Sequence, residues 1–341
     1  MNTDQAIREL PKAELHIHLL GSIRPRTLLH ILEEESIESP LRNDDEYDRL
    51  FQYRDFAHFI SVYGQVIDNI PQEKYFEQIA YEMLEDCAKS NTRYVEFSFS
   101  APDHVKRGLD YGNMLDHINR GVRKAKSDHG IESNIRIDLV RNYGLDSARE
   151  TLSWIKEKSE NVISIDIGGS EHTFPPEPYA EIYREAKEMG LHLVAHAGEA
   201  AGPESVWGAI EALKVERVGH AVSAAQDLRL LERIKRDRIG IEACPVSNVR
   251  TGAVQSLQEH PIREFYDMGL LVTVNSDDPT FFHTDLDNEY LQLHEHLGFT
   301  LSDLLRLSLN AVDASFLLDS TKERLRSSFK ETGEKIIDSA R

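Results

Sequence analysis

The chain has 341 residues, and 40% of them are hydrophobic, which is enough for a sizeable core. Acidic residues outnumber basic ones by 59 to 39, and the formal charge of -20 argues against binding to nucleic acid or to an anionic membrane surface. Two cysteines, no signal-peptide core and no run of eighteen apolar residues exclude a disulfide framework and a membrane span. We expect a cytoplasmic globular protein that acts on a neutral or cationic small molecule.

The first predicted element is a short buried strand over residues 14–19, ELHIHL. In an extended strand alternate side chains share a face, so His16 and His18 project together and could bind one divalent metal ion. An HxH triplet is also typical of two unrelated polar residues on a half-exposed strand. A catalytic metal would require further ligands from other strands.

The segment after this strand has a helical pattern. Residues 33–70 are acidic and then aromatic, and residues 73–90 form a cleaner amphipathic helix in which Cys87 takes a core position. The aromatic residues recur at spacings that fit helices: Phe51, Tyr53, Phe56, Phe59 and Tyr63. They either pack an inserted helical subdomain onto the rest of the chain or face a pocket as a lid.

From residue 94 onward, strand and helix patterns alternate regularly. Seven further strands are predicted, at 94–99, 135–140, 162–167, 191–195, 217–220, 239–243 and 270–275, each followed by helical sequence. The first of these helical segments is predicted over 111–129. Eight βα units favour a (β/α)8 TIM barrel, and the first βα turn lacks the GxGxxG of a doubly wound dinucleotide-binding sheet. We predict one domain over residues 1–341, with inserted helices at about 33–90 after strand 1 and a C-terminal helical extension over 302–329.

Unusual polar residues follow several of these strands. Strand five ends at His196 and is followed by Glu199, strand six ends at His220, and strand eight is followed by Asp277 and Asp278. Each alone has an ordinary explanation: a core histidine, a carboxylate favoured by a helix dipole, or a turn. Because the carboxyl ends of all barrel strands meet at one rim, their coincidence there indicates a metal site.

Four motifs together resemble the adenosine deaminase family of the amidohydrolase superfamily: LPKAELHIHLLGSIRP, VAHAGEAAGPESV, RVGHAV and VNSDDP. The resemblance extends from about residue 10 to residue 318. It implies one zinc ion per chain, with His16, His18, His196 and Asp277 as ligands. A lysine that bridges two metals in binuclear relatives is missing after strand four, which favours one ion.

The resemblance also implies catalytic and substrate-binding roles. Glu199 matches a proton donor, His220 a histidine beside the metal, Asp278 a contact to purine N7, and Gly169 a contact to N3. The chemistry suits these residue types: zinc makes water a nucleophile near neutral pH, Asp277 could accept a proton, and burial would keep Glu199 protonated. His18 is expected to contact the substrate as well as to bind the metal.

One position departs from the family pattern. An acidic residue usually precedes the glycine of the HxHLxG segment and is implied to contact the ribose 5′ hydroxyl, but this chain has Leu20. Since leucine cannot accept that hydrogen bond, we expect preference for a 5′-modified or deoxy adenine nucleoside, such as aminodeoxyfutalosine, or for adenine, over adenosine. Ser170 likewise replaces a common aspartate, although Glu171 remains.

Two further functional classes stay open at this point. A different hydrolase on the same barrel would cleave an amide or ester, and a non-catalytic protein would only bind a purine or a metal. The latter has no need for Glu199 and His220. The other zinc deaminase signature, HxE with PCxxC, is absent because Cys244 is not followed by a second cysteine. We expect Cys244 to be an inward-facing barrel residue instead. The sequence leaves the oligomeric state open, a homo-oligomer included.

Overall fold

The computed structural model describes residues 1–39, 51, 53 and 56–340, without the side chains of residues 56 and 57. Eight parallel strands are arranged in the order β1 to β8, and a parallel bridge between Ile17 and Asp277 joins the two ends. The strands are β1 Lys12–His18, β2 Thr92–Phe99, β3 Glu132–Val140, β4 Val162–Gly168, β5 His192–Ala197, β6 Arg217–His220, β7 Gly240–Ala243 and β8 Val272–Val274. The predicted (β/α)8 barrel is confirmed.

Helices precede, connect and follow the strands. Those in the described part of the chain are α1 Thr3–Glu9, α2 Pro25–Glu34, α3 Phe56–Asp68, α4 Tyr75–Lys89, α5 Ala101–Val105, α6 Tyr111–His129, α7 Gly144–Glu157, α8 Ala180–Glu188, α9 Pro203–Gly208, α10 Leu228–Asp237, α11 Pro245–Arg250, α12 Ile262–Asp267, α13 Pro279–Phe282, α14 Leu286–Leu297, α15 Leu301–Ala314 and α16 Asp319–Ala340. None of them combines the length and apolar character that a membrane crossing requires.

The ends of α6 show how local sequence sets an element. The Asp110 side chain accepts a hydrogen bond from the Asn113 amide at the start of the helix, and Gly130 ends it at a φ of 69°. A side-chain N-cap and a left-handed glycine are strong helix boundaries. The predicted helix over 111–129 therefore matches the observed one.

The barrel interior below the site contains buried charges rather than only aliphatic side chains. Arg217 bonds Glu96 at 2.5 Å and Glu242 at 2.6 Å, and Arg136 bonds the same Glu242 at 2.8 Å. Phe316 covers this layer, since its backbone N–H donates to Glu96 and its ring lies 3.8 Å from the Arg217 guanidinium. Each buried charge thus has an opposite charge beside it, as burial in a low-dielectric interior demands.

The C-terminal extension holds the two strands that close the barrel. In α15, Ser308 donates a hydrogen bond to the carbonyl of Pro11 before β1, and Asn310 donates to the carbonyl of Val272 in β8. The predicted helical tail over 302–329 is correct in type, but it consists of two helices with a break after Ala314. The extension therefore contributes to the seam on which the site is built.

The inserted segment after β1 is partly described. Residues 40–50, 52, 54 and 55 of the predicted 33–90 insertion, together with the Phe56 side chain, lie outside the described residues. The rings of Phe51 and Phe281 stack at 4.6 Å, and those of Phe59 and Phe282 lie 5.1 Å apart, so Phe51 and α3 pack onto α13. Cys87 is buried in α4, as predicted.

Candidate active site and metal centre

The four expected metal ligands come together at the carboxyl end of the barrel. His16 and His18 lie in β1, His196 lies in β5, and Asp277 follows β8; one ligand atom from each lies within 4.8 Å of all the others. Asp277 is fixed against β1 by two backbone hydrogen bonds, from its own N–H to the His16 carbonyl at 3.1 Å and from the His18 N–H to its carbonyl at 2.7 Å. The seam of the barrel therefore places the carboxylate beside both histidines.

Two buried acids orient two of the histidines. His16 Nδ1 lies 2.8 Å from Glu242, and His196 Nδ1 lies 2.9 Å from Asp166. Each contact leaves Nε2 directed away from the acid and fixes the ring orientation, as in metal sites whose ligands are held by carboxylates. Arg136 lies between the two acids, 2.8 Å from Glu242 and 3.3 Å from Asp166.

The cluster fits a divalent metal on two observations. His16 is 0% exposed, and its Nε2 has no hydrogen-bond partner among the described residues, an arrangement that is costly unless a ligand accepts the lone pair. Although burial favours neutral His18, the carboxylates of Asp278 and Asp277 outweigh it and raise the pKa of His18 to about 10. The acids thus create a strongly negative potential where a cation would bind.

Glu199 lies where a proton donor is needed. Its Oε1 accepts a hydrogen bond from Thr251 at 3.1 Å and a longer one from Asn248 at 3.4 Å, and its Oε2 lies 3.6 Å from His220. Burial, and secondarily the negative charges of Asp277 and Glu171, raise the pKa of Glu199 to about 8. At neutral pH the carboxyl is therefore protonated and can give up a proton.

His220 is held in a strained backbone at the end of β6. Its φ is +63°, and Asp277 across the site has a φ of +64°, a conformation that costs a non-glycine residue roughly 1–3 kcal/mol. The Nδ1 atom of His220 lies 3.0 Å from the Asn248 amide, and Asn248 in turn contacts His260 at 3.1 Å. Burial lowers the pKa of His220 well below its usual value, so the ring is neutral and can accept as well as donate a hydrogen bond.

Glu171 supports the loop that carries Glu199, and its function was not predicted from the sequence. One carboxylate accepts four consecutive backbone amides, from Gly198 at 2.5 Å, Glu199 at 3.1 Å, Ala200 at 2.7 Å and Ala201 at 3.1 Å. Glu171 is itself buried. The four bonds fix the backbone of the loop and hence the direction of the Glu199 side chain.

Asp278 follows β8 and Gly169 follows β4, two strands on opposite sides of the barrel, and both residues line the cavity. Asp278 is buried, and a side chain at Gly21 would place a Cβ 1.8 Å from its Oδ1, so glycine is required there. Burial, and then the adjacent Asp277, raise the pKa of Asp278 to about 7. Gly169 has a φ of +99°, which glycine adopts at little cost.

The site opens into a cavity of about 260 Å³. This volume is near the lower end for small-molecule sites, which span roughly 300–1,000 Å³. Phe59, Ile60 and Tyr63 of α3 form part of its wall, so the inserted segment both packs onto the barrel and faces the cavity. Leu20 is 3% exposed in the hydrophobic core and is not among the described residues that line the cavity.

The sequence contains a feature that could have indicated the two acids that orient the histidines. Asp166 lies in the run ISIDIG and Glu242 in GIEAC, and each is the single charged residue of its strand. A charge in such a strand points to a buried partner. Which histidine it contacts depends on strand neighbours far apart in the chain, and the sequence pattern does not specify that.

A metal-ligand cluster with a protonated acid and a neutral histidine, at the carboxyl end of a (β/α)8 barrel, defines a metal-dependent hydrolase. The family model described as "Adenosine deaminase" matches residues 11–332. The chain therefore belongs to the adenosine deaminase family and is a metal-dependent aminohydrolase.

Relatives within this family act on different adenine compounds. The chain is 37% identical to an aminodeoxyfutalosine deaminase of Streptomyces avermitilis, over 94% of this chain and 90% of that protein. It is 30% identical to an adenine deaminase of Acinetobacter baylyi over 95% and 97%, and 31% identical to an adenosine deaminase of Clostridium kluyveri over 97% and 96%. Purine deamination is common to all three.

Solved structures agree with this chain in fold, and one of them contains zinc. An adenine deaminase from Arthrobacter aurescens superposes with a TM-score of 0.92 at 28% identity, covering 94% of this chain and 98% of that one. An amidohydrolase from Burkholderia ambifaria with bound Zn has a TM-score of 0.92 at 28% identity, covering 99% and 94%. An Arabidopsis protein in complex with IMP has a TM-score of 0.86 at 26% identity, covering 96% and 98%.

Proposed function

We propose that the chain is a zinc-dependent deaminase of an adenine nucleoside that carries a modified or deoxy 5′ position, of which aminodeoxyfutalosine is one example. The observation that carries the deaminase assignment is the arrangement of a protonated Glu199 and a neutral His220 beside four converging ligand atoms. Hydrolytic removal of an aromatic amine needs an activated water, a proton for the ring and a group that stabilises developing charge.

His16, His18, His196 and Asp277 would hold the zinc ion. When bound, zinc would supply the Lewis-acid chemistry that makes water a nucleophile near neutral pH. The buried Asp277 carboxylate, kept ionised by the neighbouring histidines, would accept a proton from the attacking water. Three histidines and one carboxylate are a donor set that zinc commonly takes in proteins.

The remaining residues would bind the purine and donate a proton to its ring. Attack at C6 breaks the aromaticity of the ring and pushes an electron pair onto N1, so N1 must gain a proton as the new bond forms. Glu199 is the protonated group available to donate it. His220 would orient the attacking oxygen and stabilise its charge by a hydrogen bond. Asp278 in its protonated form would donate to N7, and the Gly169 amide would donate to N3.

The 5′ preference follows from the position that Leu20 occupies. The family's usual acidic residue would be replaced by a side chain buried in the core, so a free 5′ hydroxyl gains no acceptor from this position. The relatives agree with this direction, because two aminodeoxyfutalosine deaminases of Streptomyces are 37% and 38% identical, whereas the adenine and adenosine deaminases named above are 30% and 31% identical.

A metal-exchange experiment tests the assignment. The purified protein is analysed for metal, treated with a chelator, and assayed for ammonia release from 5′-deoxyadenosine before and after zinc is restored. We expect one zinc per chain, loss of ammonia release on chelation, and recovery with zinc. Undiminished activity in metal-free protein, or hydrolysis of amides or esters but not of any purine, would contradict the proposal.

Adenine remains the second candidate substrate, and the adenine deaminase relatives favour it. The cavity lining supports a larger molecule, since apolar residues of α3 and polar residues after β2 line the cavity in addition to the residues proposed to bind the base. Ammonia release from adenine, compared with that from 5′-deoxyadenosine, distinguishes the two.

A further inference from the structure

The placement of the base determines where a sugar would lie, and this step rests on the proposed function. With N7 at Asp278 after β8, N3 at Gly169 after β4 and N1 at Glu199 after β5, the purine orientation is fixed by three points. N9, which carries the sugar, lies between N7 and N3 and opposite N1. The strands between β8 and β4 on that side of the barrel are β1, β2 and β3. A sugar on N9 would therefore face the carboxyl ends of β2 and β3.

Asp138 of β3 presents an unpaired carboxylate oxygen at this place. The residue lines the cavity but is only 2% exposed. Its Oδ2 accepts a hydrogen bond from Ser100 at 2.7 Å and lies 3.7 Å from His18, whereas its Oδ1 has no hydrogen-bond partner among the described residues. Leaving a buried carboxylate oxygen unpaired is costly, so the wall lacks a donor that a ligand would supply.

Asp103 of α5, just after β2, presents a second acceptor. The Tyr143 hydroxyl donates to its Oδ1 at 2.7 Å and so fixes the direction of the carboxylate, while Arg107 holds its backbone carbonyl at 2.7 Å. Within the described part of the chain no hydrogen bond reaches Oδ2. Asp103 and Tyr143 both line the cavity.

We propose that Asp103 and Asp138 form a sugar subsite, in which the free oxygens of the two carboxylates accept hydrogen bonds from the ribose 2′ and 3′ hydroxyls. Hydroxyl donors to an ionised acceptor make hydrogen bonds that are shorter and roughly twice as strong as neutral ones. Such a subsite selects nucleosides with intact 2′ and 3′ hydroxyls independently of what the 5′ position carries. It would supply the sugar recognition that the residue at position 20 does not.

A purely structural role for Asp103 leads to a different expectation. As an acid in the first turn of a short helix, Asp103 could simply stabilise α5. Its replacement would then reduce activity on every substrate by the same factor. A role in sugar recognition reduces activity only on substrates that carry the recognised hydroxyl.

The test compares three substrates that share the base and lack the 5′ hydroxyl: 5′-deoxyadenosine, 2′,5′-dideoxyadenosine and 3′,5′-dideoxyadenosine. The wild type should show a kcat/KM for 5′-deoxyadenosine at least about tenfold above that for one dideoxy analogue. Asp103→Ala should lower kcat/KM for 5′-deoxyadenosine about 10- to 100-fold but change kcat/KM for that dideoxy analogue by no more than about threefold. The ratio of the two kcat/KM values should therefore fall to near one.

Several outcomes would overturn the subsite. They are equal activity of the wild type on all three substrates, or an equal loss on all three in Asp103→Ala. If Asp103→Ala does not fold, Asp103→Asn decides: Tyr143 would hold the amide oxygen, and the NH2 group left at the free position cannot accept a hydrogen bond. An unchanged ratio would then rule the proposal out. Release of ammonia from none of the three by the wild type would identify failure of the proposed function, and the subsite would fall with it.

Asp68→Asn is the matched control. Asp68 is an exposed acid on α3 that pairs with Arg107, a cavity-lining residue, but Asp68 is not itself one of the described cavity-lining residues. Its substitution changes the local charge by the same amount as Asp103→Asn. We expect wild-type substrate ratios in this variant, and a ratio that falls as in Asp103→Asn would show that net charge, rather than a sugar contact, determines selectivity.

Discussion

At the scale of single residues, Glu199 gives the most direct information about the reaction. Its carboxyl is buried beside Thr251 and His220, and its pKa is raised to about 8 mainly by that burial. A carboxyl in ordinary solvent would be ionised at neutral pH and could not donate a proton. The site thus keeps an acid protonated where a ring nitrogen must be protonated.

The pH dependence of activity tests this role. Because the donor is active only while protonated, kcat/KM should be constant below about pH 8 with respect to Glu199 and should fall about tenfold per unit above it. Glu199→Gln should lower kcat by about 10³-fold and remove this alkaline decline, whereas Glu204→Gln, an exposed neighbour, should match the wild type. Equal activity of Glu199→Gln and wild type would contradict the assignment.

The site residues differ in how far the sequence specifies them. The HxH spacing of His16 and His18, and the positions of His196 and Asp277 at strand ends, are enough to predict that these side chains converge. Asp103 and Asp138 are not predictable in the same way, because their free oxygens depend on which neighbours bond to them. Leu20 was expected to face the substrate, yet the structure places it in the core.

At the scale of elements, the loop after β5 depends on a residue from the loop after β4. Glu171 accepts four backbone amides of residues 198–201, and no helix or strand supplies those amides with partners. Such amides, left unpaired in a buried loop, would each cost about 1–3 kcal/mol. The direction of Glu199 is therefore a property of two connected loops.

Substitution of Glu171 should show whether this carboxylate fixes the direction of Glu199 or contributes only to the stability of the fold. We expect Glu171→Ala to lower kcat at least about 100-fold, since the proton donor loses its fixed direction, while Glu171→Gln retains part of the activity because its amide oxygen still accepts. Ser170→Ala, one residue earlier, should stay within about threefold of the wild type. Thermal unfolding checks that Glu171→Ala is folded. If the folded variant has the wild-type kcat, the loop does not need this carboxylate.

Element boundaries were predictable where the chain carries local signals. The helix over 111–129 has both a side-chain N-cap and a C-terminal glycine, and its bounds agree with the structure. The last strand was predicted over 270–275 but spans Val272–Val274, and the Asn275 side chain just beyond it accepts a hydrogen bond from the Leu15 N–H in β1. Closure of a barrel is a tertiary event that a periodic pattern does not encode.

At the scale of the whole molecule, the barrel and its two additions have distinct functions. The eight strands hold the ligand set at one rim, and α3 of the insertion lines part of the cavity. Helix α15 of the C-terminal extension bonds to the residue before β1 and to the start of β8. The order of strands could be predicted from the alternation of patterns alone, since only one right-handed arrangement accommodates eight βα units in a closed sheet.

The measurement that tests the central claim most directly is kcat/KM for ammonia release by protein of known zinc content, across adenosine, 5′-deoxyadenosine, methylthioadenosine, aminodeoxyfutalosine and adenine. With one zinc bound per chain, we predict that at least one 5′-modified or 5′-deoxy nucleoside exceeds adenosine by about tenfold or more. A clear preference for adenosine over every other compound in this set would contradict the account.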